Sequence, residues 1–247
     1  MVRDPRGGHN RKKVNEVFFK TWTPNMAYVL GFMFADGSLL DTNKSSRTYY
    51  LLFSNNDFEL LSKIKLCLNS EHAIYVRPPR LMQHRHGKYT SREGYVLKMG
   101  NKVMYQDLIN LGMTHRKSNT MHLPTIPIEY FSYFLRGYFD GDGCINLYLA
   151  KGRMTNRLSV IYSSGSIAFL NELADEISSL LNIKSPRMYK SCGDFNLISH
   201  SVEAVNILDY MYHDLDKAPY LKYKYQKYLE YKDHLMGPRV KKALGLI

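Results

Sequence analysis

Cysteine is scarce. Cys67, Cys144 and Cys192 are the three in 247 residues, and no two of them form a CxxC pair. An odd set without paired spacing excludes a disulfide framework and a cysteine-rich zinc site, so an intracellular, reducing compartment is expected. Long apolar runs are missing as well. The longest, from Tyr28 to Ala35, is far shorter than the ~18 residues needed to cross a bilayer, and residues 1–13 are basic without the apolar region of a signal peptide. A soluble chain with no membrane partner is expected. Acids are the minority charge, 22 against 34 lysines and arginines, and the net charge of +12 points to nucleic acid or another anionic surface. What is plentiful is core material: 45% of the residues are hydrophobic and 23% charged, enough for one large domain or two small ones.

The sequence repeats itself. Val29-Leu30-Gly31-Phe32-Met33-Phe34-Ala35-Asp36-Gly37 aligns with Leu135-Arg136-Gly137-Tyr138-Phe139-Asp140-Gly141-Asp142-Gly143 at an offset of 106 residues. Each copy precedes a strand-like run, Leu51–Ser54 and Val160–Ser163. A polar cap (Asp57, Ser166) then opens an amphipathic helix. One such helix carries Phe58, Leu61, Ile64 and Leu68, the other Ile167, Leu170, Leu173, Ala174 and Ile177. A hairpin follows in each copy, over 73–98 and 187–198, and a closing helix over 102–111 and 202–211. The order is therefore α-β-β-α-β-β-α twice, with a proline-bearing connection between. Thr23-Pro24 predicts a cap and a first-turn proline for one motif helix, and Pro127 is expected to serve the other in the same way. Gly31 with Ala35, and Gly137 with Gly141, strip side chains from one face of each helix. Two helices packed through such faces bring their carboxyl-terminal ends, and Asp36 and Asp142, side by side.

An aspartate in the last turn of a helix opposes the macrodipole by typically ~0.3–1 kcal/mol, and two together repel one another. A divalent cation held by carboxylate oxygens is the natural remedy. The plainer reading, an Asp-Gly helix-end signal, suits one copy better than two in matched context.

These paired segments resemble the duplicated motifs of single-chain LAGLIDADG homing endonucleases, over roughly residues 18–232. The resemblance implies an α+β fold of two pseudo-symmetric αββαββα halves packed through their motif helices, with antiparallel sheets forming a DNA-binding saddle. It implies a basic tail at 1–17, a first half at 18–121, a connection at 122–127, a second half at 128–234 and a basic tail at 235–247. It further implies a sequence-specific endonuclease, active as a monomer, that breaks both strands of a long target by Mg²⁺-dependent hydrolysis and leaves short 3′ extensions. Asp36 and Asp142 would be the catalytic metal ligands, with the carbonyls of Ala35 and Gly141 as further ligands. Mn²⁺ or Ca²⁺ would fit the same sites, Ca²⁺ without cleavage. Lys224 resembles the family's core lysine, and Lys117 is its counterpart in the first half. One departure is the sixth motif position, Asp140 in the second copy but Phe34 in the first. Two other readings use the same scaffold, a maturase that stabilises folded intron RNA and a catalytically silent DNA-binding protein.

DNA-reading strands should carry polar and basic residues at alternate positions. In the first half the candidates are Ser38, Lys44, Arg47, Arg77, Arg80, His84, Arg85, His86, Lys88, Arg92 and Lys98. In the second they are Asn146, Tyr148, Lys151, Arg153, Arg157, Arg187 and Lys190. No HxxxH or HExxH occurs, so the histidines are not expected to bind zinc. The first half has a long basic connection between Val76 and Tyr95 where the second has a short turn. That arm is expected to make discrimination stricter at the outer base pairs of its own half-site. The tyrosines of 220–231 are expected to pack a helix rather than stack on bases.

Overall fold

A computed structural model describes residues 12–41, 49–84, 87–115, 117–148, 156–191 and 193–247. The first half begins with helix α1, Pro24–Ala35, which starts where Thr23 Oγ1 accepts the Met26 amide at 3.1 Å and Pro24 fixes the first turn. Every side chain from Met26 to Ala35 is buried, as an apolar-all-round helix requires. Strands β1 (Gly37–Asp41) and β2 (Tyr49–Asn55) follow, then α2 (Phe58–Cys67), β3 (Ile74–Arg77), β4 (Leu81–His84), β5 (Gly87–Thr90), β6 (Gly94–Gly100) and α3 (Lys102–Asn110). The second half repeats the plan with α4 (Ile128–Asp142), β7 (Gly143–Tyr148), β8 (Arg157–Ser164), α5 (Ile167–Leu181), β9 (Arg187–Lys190), β10 (Phe195–His200) and α6 (Ser201–Tyr212). Each half builds a four-stranded antiparallel sheet of the same topology, β1-β2-β6-β3 and β7-β8-β10-β9.

Helices α1 and α4 pack on each other along the small-residue faces. A Cβ on Gly31 would overlap the Phe134 carbonyl oxygen, and one on Gly137 would overlap that of Tyr28. The reciprocal pair shows backbone against backbone about a pseudo-twofold axis. Polar caps work as expected at α2 and α5, where Asp57 accepts the Leu60 amide at 2.9 Å and Ser166 that of Phe169 at 3.3 Å.

Several expectations need correction. Pro127 is the extended residue before α4 rather than its first helical residue, and no side chain caps that helix. Phe58 and Ile167, at the first positions of α2 and α5, are 52% and 47% exposed, because each helix turns its inward stripe toward the sheet only from its third residue. Residues 81–90 form a two-stranded ribbon, β4 with β5, that stands apart from the main sheet. Beyond α6 the chain adds α7 (Lys222–Glu230), a π-helical turn (Tyr231–Leu235) and α8 (Pro238–Ala243). Val240 and Leu244 pack on the core, so the segment expected as a tail is anchored. The tyrosines of this region do pack: Tyr228 and Tyr231 are buried, and Tyr212, Tyr225 and Tyr228 form an aromatic cluster.

Candidate active site

Asp36 caps the C-terminal end of α1 and Asp142 is the last residue of α4. The helix packing brings the two ends together. A Cβ on Gly141 would overlap the Ala35 Cβ, so a glycine before Asp142 is what lets the two helix ends, and with them Asp36 and Asp142, approach this closely. Asn55, at the end of β2, donates to Asp36 Oδ2 at 2.9 Å and fixes its rotamer. Burial raises the Asp36 carboxyl above its ordinary range, opposed by that hydrogen bond and by Lys117, Lys224 and Arg77. Burial and the neighbouring Asp36 charge push Asp142 up to about 6, against the pull of Lys117 and Lys224.

The two lysines are placed alike. Lys117, at the start of a 3-10 turn, donates from Nζ to the carbonyls of Phe34 and Ala35, each at 2.5 Å. Lys224, on α7, donates to the carbonyls of Phe139 (2.5 Å), Gly143 (2.6 Å) and Asp140 (3.2 Å). Each ammonium thus satisfies carbonyls at the C-terminal end of one motif helix, where the dipole favours a cation. Burial draws both below the usual lysine range, and the charges of Asp36 and Asp142 oppose this. One lone pair of the Ala35 carbonyl is committed to Lys117.

Beside Asp36 opens a cavity of about 590 Å³, lined among others by Ser54, Asn55, Arg77, Arg92, Gly141 and Tyr223. Asp36, Arg77 and Arg92 line this opening, Asp142 lies within electrostatic reach of Asp36, and Lys117 and Lys224 lie within reach of both acids, so the arrangement suits a divalent cation together with a polyanion. Among the described residues no cluster of three or more His, Cys, Asp or Glu side chains could hold a metal, so further ligands here would be carbonyls, water or substrate oxygens. That donor set fits Mg²⁺, which is commonly held by one or two carboxylates plus waters and phosphates.

Comparison with known proteins bears on this arrangement. Residues 129–198 match the LAGLIDADG-like domain family. The structure of meganuclease I-SmaMI bound to uncleaveable DNA superposes with a TM-score of 0.57 at 12% identity, covering 89% of this chain and 95% of that one. The LAGLIDADG meganuclease I-CpaMI bound to uncleaved DNA gives 0.56 at 11% identity, over 92% and 98%. The chain has the single-chain LAGLIDADG fold. A third structure, the I-LtrWI LAGLIDADG homing endonuclease bound to target DNA, gives 0.53 at 15% identity over 94% and 97%. No curated protein matches by sequence.

The surface candidates of the two LAGLIDADG halves separate by strand register. In the first sheet Ser38, Lys98 and Arg77 share the open face, and Lys98 Nζ lies 4.0 Å from the Tyr50 ring. Arg80 and Lys88 are exposed on or beside the ribbon, and Arg92 is exposed at its return. In the second sheet Asn146, Tyr148, Arg157 and Arg187 share one face, whereas Lys190, opposite Phe195, belongs to the other. Lys44, Arg47, Arg85, His86, Lys151 and Arg153 lie outside the described residues, as does the side chain of His84. The arm of the first LAGLIDADG half is rooted at Arg77 and Arg92, which line the cavity beside Asp36. Its base therefore stands at the centre of the site rather than at the outer flank, because β3 ends and β6 begins on the Asp36 side of the sheet.

A polar network at the LAGLIDADG helix interface escaped the sequence reading. Asp140, fully buried, accepts from Tyr28 Oη at 2.8 Å and from the Leu221 amide at 2.8 Å, while its Oδ1 has no protein partner. Burial pushes it up to about 6, against Lys224, Tyr28 and Arg136. Arg136, also fully buried, donates to the carbonyls of Met211, Asp214 and Ala218. The signal was present in the motif alignment, where Leu30 and Phe34 stand against Arg136 and Asp140.

Proposed function

We propose that the protein is a site-specific homing endonuclease that acts as a monomer, cutting both strands of a duplex DNA target by Mg²⁺-dependent phosphodiester hydrolysis. The observation that carries this reading is the pair Asp36 and Asp142, brought together at two helix C-terminal ends where burial holds both carboxyls above their ordinary range even with Lys117 and Lys224 beside them. Natural folds accept such an arrangement where a cation offsets it. Both acids come from one chain, so one copy suffices. That solved structures sharing the fold at low identity are described as homing endonucleases or meganucleases bound to DNA supports the substrate class.

Asp36 and Asp142 would hold the Mg²⁺, with the Gly141 carbonyl and the remaining lone pair of Ala35 within the same cluster. When bound, the ion supplies Lewis acidity toward water and the phosphodiester. Asn55 orients the Asp36 carboxylate. Lys117 and Lys224 fix the helix ends, and so the spacing of the acids, and add positive potential where phosphate charge builds up. Arg77 and Arg92, which line the cavity, are placed to meet the duplex next to the cut, where a guanidinium can pair with a guanine edge. Net charge of +12 favours approach to a polyanion.

Selection of cleaved plasmids from a randomised target library tests the reading. Linear product that requires Mg²⁺ and disappears with EDTA is expected. Binding to structured intron RNA with no cleavage of any duplex would replace this reading with the maturase one.

A further inference from the structure

The end of the second sheet farthest from Asp142 carries a cluster that the reaction does not use. Arg157 stands opposite Tyr148 at the outer end of β8 and β7, His200 opposite Ser159, and Arg187 opposite Ile198. Strand alternation puts Arg157, Ser159, Arg187 and His200 on the same face as Asn146. Arg157, Arg187 and His200, with Lys184 and Glu203, line a cavity of about 330 Å³. Ser159 is 1% exposed, and its hydroxyl lies 2.7 Å from His200 Nδ1, which sets the ring so that Nε2 is the nitrogen left for a ligand. Arg157 from β8, Arg187 from β9, Lys184 before β9 and His200 from β10 thus meet one acid, Glu203 of α6. The first sheet has Tyr50 opposite Gly100 in the place of Ser159 and His200, so among the described residues the cluster belongs to the second half.

We propose that this basic cavity is a phosphate-binding subsite that clamps the DNA backbone at the outer flank of the second half-site, with His200 donating from Nε2. A phosphodiester suits it because charged donors converge from separate elements, and the face is continuous with the one that carries Asn146 and Tyr148. Burial and the facing Arg157 and Arg187 hold the imidazole below its ordinary range, with Glu203 opposing, so the free protein carries it neutral at physiological pH. A phosphate between the arginines offsets their field and adds a negative charge beside the ring. His200 therefore takes up a proton on binding, and affinity rises as pH falls.

The inference rests on the duplex-DNA reading above. Its test uses the full chain and the duplex recovered by binding selection from a randomised pool, with affinity measured in EDTA at about pH 8 and about pH 6. The wild type should tighten by about fivefold and His200→Gln by less than about twofold. Arg187→Gln should reduce the salt slope by about one unit, the share of one phosphate. Phosphate-ethylation interference should lose a position at one outer flank in both variants, with thermal melts showing that both remain folded. An equal pH response in wild type and His200→Gln, or an unchanged interference pattern, overturns the subsite, as does a His200-dependent response confined to structured RNA. Cleavage in Mg²⁺ is read separately. A duplex that is bound with this pH response but never cut leaves the subsite standing and removes the nuclease, and a cut duplex without the response does the reverse.

Discussion

Replacing Gly137 with alanine adds one methyl group at the point where two helix backbones meet. An ideal Cβ there would overlap the Tyr28 carbonyl oxygen and come within 2.9 Å of the Tyr28 carbonyl carbon and 3.0 Å of the Phe32 nitrogen. Ordinary contact begins near 3.4 Å, and the obstructing atoms are main chain, which cannot rotate away. The helices must part by roughly an ångström, which opens the core on both sides of the seam. Overpacking of cores costs about 1–3 kcal/mol where side chains can adjust, and the rigid neighbours here put the cost at or above the top of that range. In a chain of this size about 3 kcal/mol lowers the melting temperature by roughly 6–12 °C. Separation also moves Asp142 away from Asp36, so cleavage should fall further than stability accounts for at a temperature where the variant is folded. Calorimetry paired with plasmid cleavage is the assay. Gly193→Ala is the control: its φ of +98° strains an alanine, but nothing lies within 4 Å of the new methyl, so cleavage should persist. A Gly137→Ala protein that melts within about 2 °C of the wild type and cuts at full rate refutes the backbone-to-backbone packing of α1 and α4.

Acidification should stabilise the metal-free protein. Asp140 and Asp142 titrate near 6 in the fold against about 4 unfolded, so their contribution is fully present below about pH 4 and is lost as pH rises through about 6. Melting in EDTA across that window should show the fall, and added Mg²⁺ should reverse it at about pH 8. Asp142→Asn should raise the metal-free melting temperature at that pH by about 2–4 °C, since it removes a buried like charge. Lys224→Met leaves the carbonyls of Phe139, Asp140 and Gly143 without their shared donor, which should cost about 1–3 kcal/mol by denaturant titration. Cleavage should drop at least about tenfold while duplex binding is largely kept. Arg77→Ala with Arg92→Ala should relax discrimination at base pairs next to the cut. Profiling every single-base variant checks this, and loosening confined to the outer flank would contradict the placement of the arm.

Elements with strong local signals were legible in the sequence. Gly31, Ala35, Gly137 and Gly141 announce a close helix pair, and Asp57 and Ser166 announce the starts of α2 and α5. The joining of Asp36 to Asp142 follows from those small residues and was legible with them. Phe58 and Ile167 misled because an apolar residue directly after a cap counts toward the periodicity while pointing outward. The ribbon at 81–90 was hidden by its composition, since exposed Leu81, Met82 and Tyr89 lie among basic residues with no buried face to give a period. The Tyr28–Asp140 bond joins positions 112 apart, and only packing could bring them together. The burial of Lys117 and Lys224 was equally invisible, because their partners are backbone carbonyls, and the residues that supply them carry no pattern for this in their side chains.

The central claim is that Asp36 and Asp142 form one composite centre for strand cleavage. Asp36→Asn and Asp142→Asn, each assayed on the selected target in Mg²⁺, test it most directly. Both variants should bind the duplex with affinity close to that of the wild type and yield no linear product. Cleavage by either at a rate near the wild type would contradict the account.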